Sequence, residues 1–474
     1  MWECEWLAIK KNLVNKIDIE KAAKAQNINI RDALFGGRTE CFKSYHECVG
    51  KQVINYDDVT SLYPTVNALD DYPVGFKKYV TITPKDILSG KFFGLVKVDV
   101  TPPKDLYVPV LPQSVDGKLL FHLNDMTGTW FSHELKYALE RGYVITKIHA
   151  ALKYDKFPGL MKAYVGDFIQ MKIENEKELT QDECDSINKY HHNLGFKFVI
   201  KLENCKTNEG MRQVAKICLN SLWGKFGQRT NLSSYDFISE YTVFVRNLHD
   251  PKIQSESWQI INENCVELRY IFTENTSLEP EFISEITAVA TTANARLRLY
   301  DFISWLHPSQ LIYCDTDSCV WLYDEENPLH KKRDNNDPTL PKSIQFGSGL
   351  GQWKDELEGD HITEIVAGGA KSYSYKLDKG IMKKGRLTKC VVKQKGITLD
   401  VANACAVNFD TLKHMVLNDE TLQSVPRYQF QWDKKSKNII TGQISRSIHS
   451  TINSKRDLDG YDTTPFGYKR HKII

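Results

Sequence analysis

The chain has 474 residues, 41% of them hydrophobic and 26% charged, which is too long for one compact core and ordinary for a soluble protein of two to four domains or subdomains. Sixty-two Lys and Arg stand against 60 Asp and Glu, so the formal charge of +2 does not by itself indicate a polyanion partner. Eleven scattered cysteines without a C-x-x-C pair argue against a zinc ribbon or a disulfide framework. They point to a reducing, intracellular setting, whether nuclear, mitochondrial or virus-associated, and the sequence shows neither a membrane-spanning apolar run nor a signal peptide.

The first informative stretch in chain order is QVINYDDVTSLYPTVN at 52–67. Residues 53–56 read as a short strand, Asp57 and Asp58 stand at its end, and Pro64 suits the first turn of a following helix. Asp58 is the candidate ligand of that pair, and Asp57 is read as a surface residue. NEGMRQVAKICLNSLWGKFGQR at 208–229 has helical periodicity, with Arg212, Lys216 and Asn220 recurring on one face and Val214, Ile217 and Cys218 assigned to an apolar opposite face. Basic residues at this spacing are usually a solvated face, but N-S-L-W-G-K adds an amide, an aromatic ring and a glycine where a nucleobase could approach. YTVFVRNL at 241–248 and CVELRYIFTE at 265–274 read as strands.

Two apolar runs, 311–314 and 319–323, predict a tight hairpin with Asp315 and Asp317 at its tip. Carboxylates so close together repel unless a cation neutralises them, although an isolated D-x-D is most often a solvated turn. Asp58 can meet the tip if both strands share a sheet. Two hard divalent ions about 3.5–4 Å apart on such carboxylates form the clamp used for in-line nucleotidyl transfer. The polar run 324–343 reads as a flexible loop. AGGAKSY at 367–373 fails as a P-loop, because Ala370 precedes Lys371 and Ile365 stands where the first glycine belongs. Residues 371–395 carry nine Lys and Arg with one acid, and 427–474 carry ten with four acids, a clustering that suits a polyanion.

Four of these segments, in order, resemble the family B DNA polymerases. DVTSLYP (58–64) and YCDTDS (313–318) are similar to that family's two palm motifs, KICLNSLWGK (216–225) to its fingers motif, and KSY (371–373) to its K-x-Y motif. LFGGRTE (34–40) and NEGMRQVAK resemble the protein-primed branch, and WECEW and TPFGYKR resemble the polymerases of Maverick/Polinton transposons and related linear plasmids and viruses. Three residues depart from the pattern: Trp223 stands where many members have Tyr, Arg212 where phage members have Lys, and Leu34 at the tyrosine of the Y-x-G-G segment.

The resemblance implies an α+β, right-hand polymerase with an antiparallel-sheet palm, helical fingers and a basic thumb. Its expected division is 1–49 as an N-terminal remnant and template-contacting linker, 50–154 as the first part of the palm with an insertion, and 155–232 as fingers. Residues 233–375 would hold a second insertion and the rest of the palm, and 376–474 the thumb and C-terminal region. The implied activity is DNA-templated DNA synthesis from dNTPs on a primer 3′-hydroxyl, with two Mg²⁺ ions, or Mn²⁺ in their place. Template and primer DNA are the implied partners, with a terminal protein as alternative primer and no membrane.

The resemblance also implies roles. Asp58 and Asp317 would be the principal metal ligands together with the Val59 carbonyl, and Asp315 a supporting carboxylate. Ser61, Leu62 and Tyr63 would bind the nucleotide, the Tyr63 ring excluding a 2′-hydroxyl. Arg212 and Lys216 would grip the triphosphate, and Asn220 would line the nascent base pair. Trp223 and Gly224, Lys371 and Tyr373 at the primer terminus, and Gly36 and Gly37 along the template would contact DNA. Only 57 residues precede Asp58, too few for the 3′ to 5′ exonuclease domain of this branch, so a chain without proofreading is expected. The alternative is a catalytically inactive nucleic-acid-binding remnant. A reverse transcriptase or RNA polymerase is disfavoured by D-T-D-S in company with Tyr63.

Overall fold

The structure, a computed structural model, describes residues 27–229, 232–273, 283–383, 385–433 and 438–469; WECEW and Arg470 lie outside them. Three short strands, β1 (Thr39–Cys41), β2 (Tyr45–Glu47) and β3 (Gln52–Val59), lead into helix α1 (Leu62–Leu69). Next come β4 (Asp71–Tyr79), β5 (Gly94–Thr101), β6 (Met126–Phe131), α2 (Ser132–Glu140) and β7 (Val144–Pro158). Helices α3 (Lys162–Glu174), α4 (Gln181–Asn193) and α5 (Glu209–Phe226) follow, then β8 (Ser234–Ile238), α6 (Tyr241–Leu248), β9 (Ile253–Asn262) and β10 (Cys265–Phe272). Helix α7 (Glu285–Trp305) precedes β11 (Leu311–Asp315), β12 (Ser318–Asp324), β13 (Trp353–Asp355), β14 (Ile362–Gly369), β15 (Ser372–Lys383) and β16 (Arg386–Gln394).

A nine-stranded antiparallel sheet runs β1-β11-β12-β3-β14-β15-β16, with β13 paired to β3 and β2 to β14. Both faces are covered, which is why β12 is apolar without interruption from Cys319 to Leu322. One face carries Ile54, Ile312, Val320, Ile362 and Ile365. The other carries Val59, Trp321 and Trp353 and joins Phe302 of α7 and Val96 and Val98 of β5 in the largest core. A second sheet, β4-β7-β5-β6, closes that core. Helix α7 is buried over nearly all of its length; its Ala and Thr residues are small enough to let it pass through the core. Residues 94–158 supply strands and core side chains.

Four expectations are corrected. Residues 241–248 form helix α6, not a strand, because Tyr241, Phe244, Val245 and Leu248 recur at helical spacing and Phe244 packs edge-on against Trp258 of the three-stranded sheet β8-β10-β9. Residues 324–343 are a bonded strap: Gln310 donates to the Lys331 carbonyl at 2.8 Å, and Arg333 pairs with Asp57 and Asp355 at 3.1 and 3.2 Å. Asp57 is fully buried, not on the surface, since side chains alternate along β3 and its carboxylate points into the α7 core, where the Trp321 indole donates to it at 2.7 Å. On α5, Val214 and Ile217 are exposed at 47% and 53%, and the packed face is Ala215 and Leu219 with Leu222 and Phe226.

Candidate active site

Register builds the site. Strand β3 pairs with β12 so that Asp58 lies opposite Ser318, and the Val59 N–H donates to the Asp317 carbonyl at 2.7 Å. The aspartate near residue 58 and the hairpin tip are therefore brought side by side. Burial pushes the Asp58 carboxyl up to about 8, with repulsion from Asp317 next and Glu356 adding to it. Burial and then Asp315 push Asp317 up to about 6. Two half-buried acids whose carboxyls stay raised in spite of Lys354 near Asp58 and Lys371 near Asp317 are a donor set suited to hard divalent ions.

Asp315 stands differently. Its carboxylate accepts two 2.7 Å hydrogen bonds from the Lys371 ammonium and a 3.1 Å bond from the Thr39 hydroxyl. Ser61, Thr316 and Lys371 all have left-handed backbone, with φ of 56°, 61° and 60°, although none is glycine. Such strain concentrates where side-chain direction is held by function. Gly37 meets this tip: a Cβ there would stand 2.7 Å from the Thr316 side chain, whereas Gly36 and Gly224 face open space. The 367–373 segment closes the β14–β15 hairpin and leads to no helix, in keeping with rejection of a P-loop. Tyr373 is 6% exposed, and its hydroxyl is 3.3 Å from that of Tyr56.

Helix α1 begins at Leu62, whose side chain is in the core, and it presents Tyr63 outward. The Tyr63 ring stacks on Trp223 of α5 with centroids 4.8 Å apart and planes 20° apart. Arg212 pairs with Glu176 at 2.9 Å, and Lys216 and Asn220 are exposed along the same helix. The sequence reading missed Lys172 of α3, whose ammonium reaches the Ser61 hydroxyl at 3.5 Å. Burial lowers its pKa, Glu176 opposes that, and Arg212, Lys216 and Lys354 lower it further, so four cations and one acid converge here. No motif in FIQMKIE marks Lys172. Arg296 was missed as well: it donates to the Phe35 and Gly36 carbonyls at 2.6 and 3.0 Å while paired with buried Glu134.

Among the described residues, the one trio of His, Cys, Asp or Glu converging within 4.8 Å is Asp360, His361 and Asp378. Asp360 accepts the Lys379 and Gly380 N–H groups, so it closes a turn. No described helix is long and apolar enough to cross a membrane.

Residues 7–208 and 196–306 match the family described as DNA polymerase type B, organellar and viral. A probable DNA polymerase of Podospora anserina is 26% identical over 408 residues, covering 81% of this chain and 29% of that protein. A DNA polymerase of Kluyveromyces lactis is 25% identical over 370 residues, covering 76% and 32%. The chain thus spans about a third or less of these relatives. Phi29 DNA polymerase complexed with primer-template DNA and incoming nucleotide substrates superposes with a TM-score of 0.55 at 16% identity, covering 88% of this chain and 62% of that one. Its post-translocation binary complex with primer-template DNA gives 0.54 at 17%, with the same coverage. The fold is therefore the α+β right-hand polymerase fold.

Proposed function

Because the chain belongs to the type B DNA polymerases of organellar and viral kind, we propose that it copies a DNA template by joining dNTPs to a primer 3′-hydroxyl. The observation that carries this reading is the side-by-side placement of Asp58 and Asp317, two carboxyls raised by burial and by neighbouring carboxylates at the end of paired strands. Asp58, Asp317 and the Val59 carbonyl would hold Mg²⁺, or Mn²⁺ in its place, with Asp315 as the neighbouring carboxylate. When bound, two such ions activate the 3′-hydroxyl and neutralise the departing pyrophosphate.

The chain's own groups do the rest. Lys172, Arg212 and Lys216 converge from α3 and α5 and would bind the triphosphate beside Ser61 and the first turn of α1, where Leu62 contributes backbone. Tyr63, backed by Trp223, would present a rigid ring beneath the sugar and reject a 2′-hydroxyl by bulk. Asn220 and Gly224 would line the nascent pair. Lys371 and Tyr373 would hold the primer terminus, and Gly36 and Gly37 would follow the template. Priming from a terminal-protein hydroxyl is the finer part of the proposal, implied by the resemblance to the protein-primed branch.

The test is extension of a labelled primer on a DNA template with dNTPs and Mg²⁺. The parent protein should extend and Asp317→Asn should not, with both shifting the DNA on a native gel. A shift without extension by the parent would favour the inactive remnant.

A further inference from the structure

The aspartate hairpin is flanked by β1, which has three residues and is the edge of the main sheet. A strand that short has little independent hold on its neighbour, and its outer groups need covering. A segment 416 residues further along the chain covers them. The Lys455 ammonium donates to the Thr39 carbonyl at 3.0 Å, the Thr463 hydroxyl donates to the Cys41 carbonyl at 2.8 Å, and the Thr463 N–H donates to the Phe42 carbonyl at 2.9 Å.

Beneath this edge lies an ionic triad, Arg38–Glu40–Arg456, with N···O distances of 2.5 and 3.3 Å and each side chain at most 2% exposed. The Arg456 guanidinium also donates to the Thr463 hydroxyl at 2.8 Å and lies 4.7 Å over the Phe42 ring. Buried charges of this kind add little net stability over an apolar core, and their best-supported use is to select one arrangement. The inner side of β1 shows which arrangement that is. The Thr39 hydroxyl bonds the Asp315 carboxylate at 3.1 Å, and the Arg38 carbonyl takes the Thr316 N–H at 2.7 Å.

We propose that Lys455 and Arg456 are positioning residues for the aspartate hairpin, acting through Thr39 and Glu40 to set the Asp315 carboxylate and the Thr316 tip. The inference rests on the proposed function, since it takes the hairpin as the metal-holding element. Replacing Lys455 uncaps the Thr39 carbonyl and loosens the edge strand at that residue, while the Thr463 and Arg456 contacts remain and no side chain that would touch substrate is altered.

The experiment uses the full chain as parent, Lys455→Met, Lys455→Arg, Thr39→Val and Asp317→Asn. Mn²⁺ affinity is read by electron paramagnetic resonance without nucleotide, and kcat, the dNTP KM and primer-template Kd by extension and gel shift. Lys455→Met should weaken Mn²⁺ binding and lower kcat by about tenfold each, as expected when a group supporting a metal ligand is lost. KM and Kd should stay at parent values, and Lys455→Arg should restore most of both losses. Thr39→Val is isosteric and suits a strand, so it cuts the same link with little risk to folding and should show the same signature. Parent-like Mn²⁺ affinity and kcat in either folded variant overturns the inference. Extension by Asp317→Asn at the parent's rate overturns the proposed function instead.

Discussion

Binding of a divalent ion to Asp58 and Asp317, as proposed, would have to displace protons, because burial and repulsion from neighbouring carboxylates hold the two carboxyls at about 8 and about 6. At pH 7 Asp58 is then mostly protonated and Asp317 mostly ionised, so binding releases about one proton and preparing Asp58 costs about 1.4 kcal/mol. Apparent affinity should rise about tenfold per pH unit from pH 6 to pH 8, more steeply below, where both acids carry protons, and level off above. Titration calorimetry with Mn²⁺ in two buffers of different ionisation enthalpy counts the protons, and Asp58→Asn should flatten the slope.

The same groups act on folding in the metal-free protein. A carboxyl raised from its ordinary 3.8 contributes fully to stability only below that value, and the contribution is lost as pH climbs through the folded pKa. The metal-free thermal midpoint should therefore fall between pH 5 and pH 8, and Asp58→Asn should recover about 1–3 kcal/mol at pH 8. An affinity that does not change between pH 6 and pH 8, or binding at pH 7 without proton release, would refute this reasoning.

Two further perturbations follow from the packing. Tyr63→Val should reduce discrimination against ribonucleotides by about 10- to 100-fold, and Trp223→Ala, which removes a stack worth about 0.5–1.5 kcal/mol, by about two- to tenfold. Single-nucleotide incorporation of matched dNTP and rNTP measures both, and unchanged sugar selectivity in Tyr63→Val removes its assigned role. Arg333→Ala leaves the buried Asp57 carboxyl without its cation and should destabilise by about 2–3 kcal/mol in chemical unfolding. A loss below about 0.5 kcal/mol would mean that Asp57 is satisfied by Trp321 alone.

The local sequence was sufficient for features with short-range causes. Two uninterrupted apolar runs on either side of Asp315 and Asp317 set a hairpin whose strands appear where expected, and Pro64 lies in the first turn of α1. The family resemblance rested on contiguous motifs, each short enough to be read without knowing the fold. Side-chain facing was less legible: Asp57 and Asp58 are adjacent and chemically identical, yet strand alternation sends one into the core beneath Trp321 and the other toward Asp317. On α5, neighbours from α1, α3 and α7 decided which stripe packs, so Val214 and Ile217 remained outside.

What only the tertiary structure decided was the long-range company of each charge. Lys172, Arg296, Arg333 and Lys455 stand in stretches without a motif, and each acquires meaning from partners 111, 260, 276 and 416 residues away. Periodicity reports which face of one element is apolar. Where a solitary cation ends up depends on strand register and on which remote segment returns to cover an edge, and both are set by the packing of the whole chain.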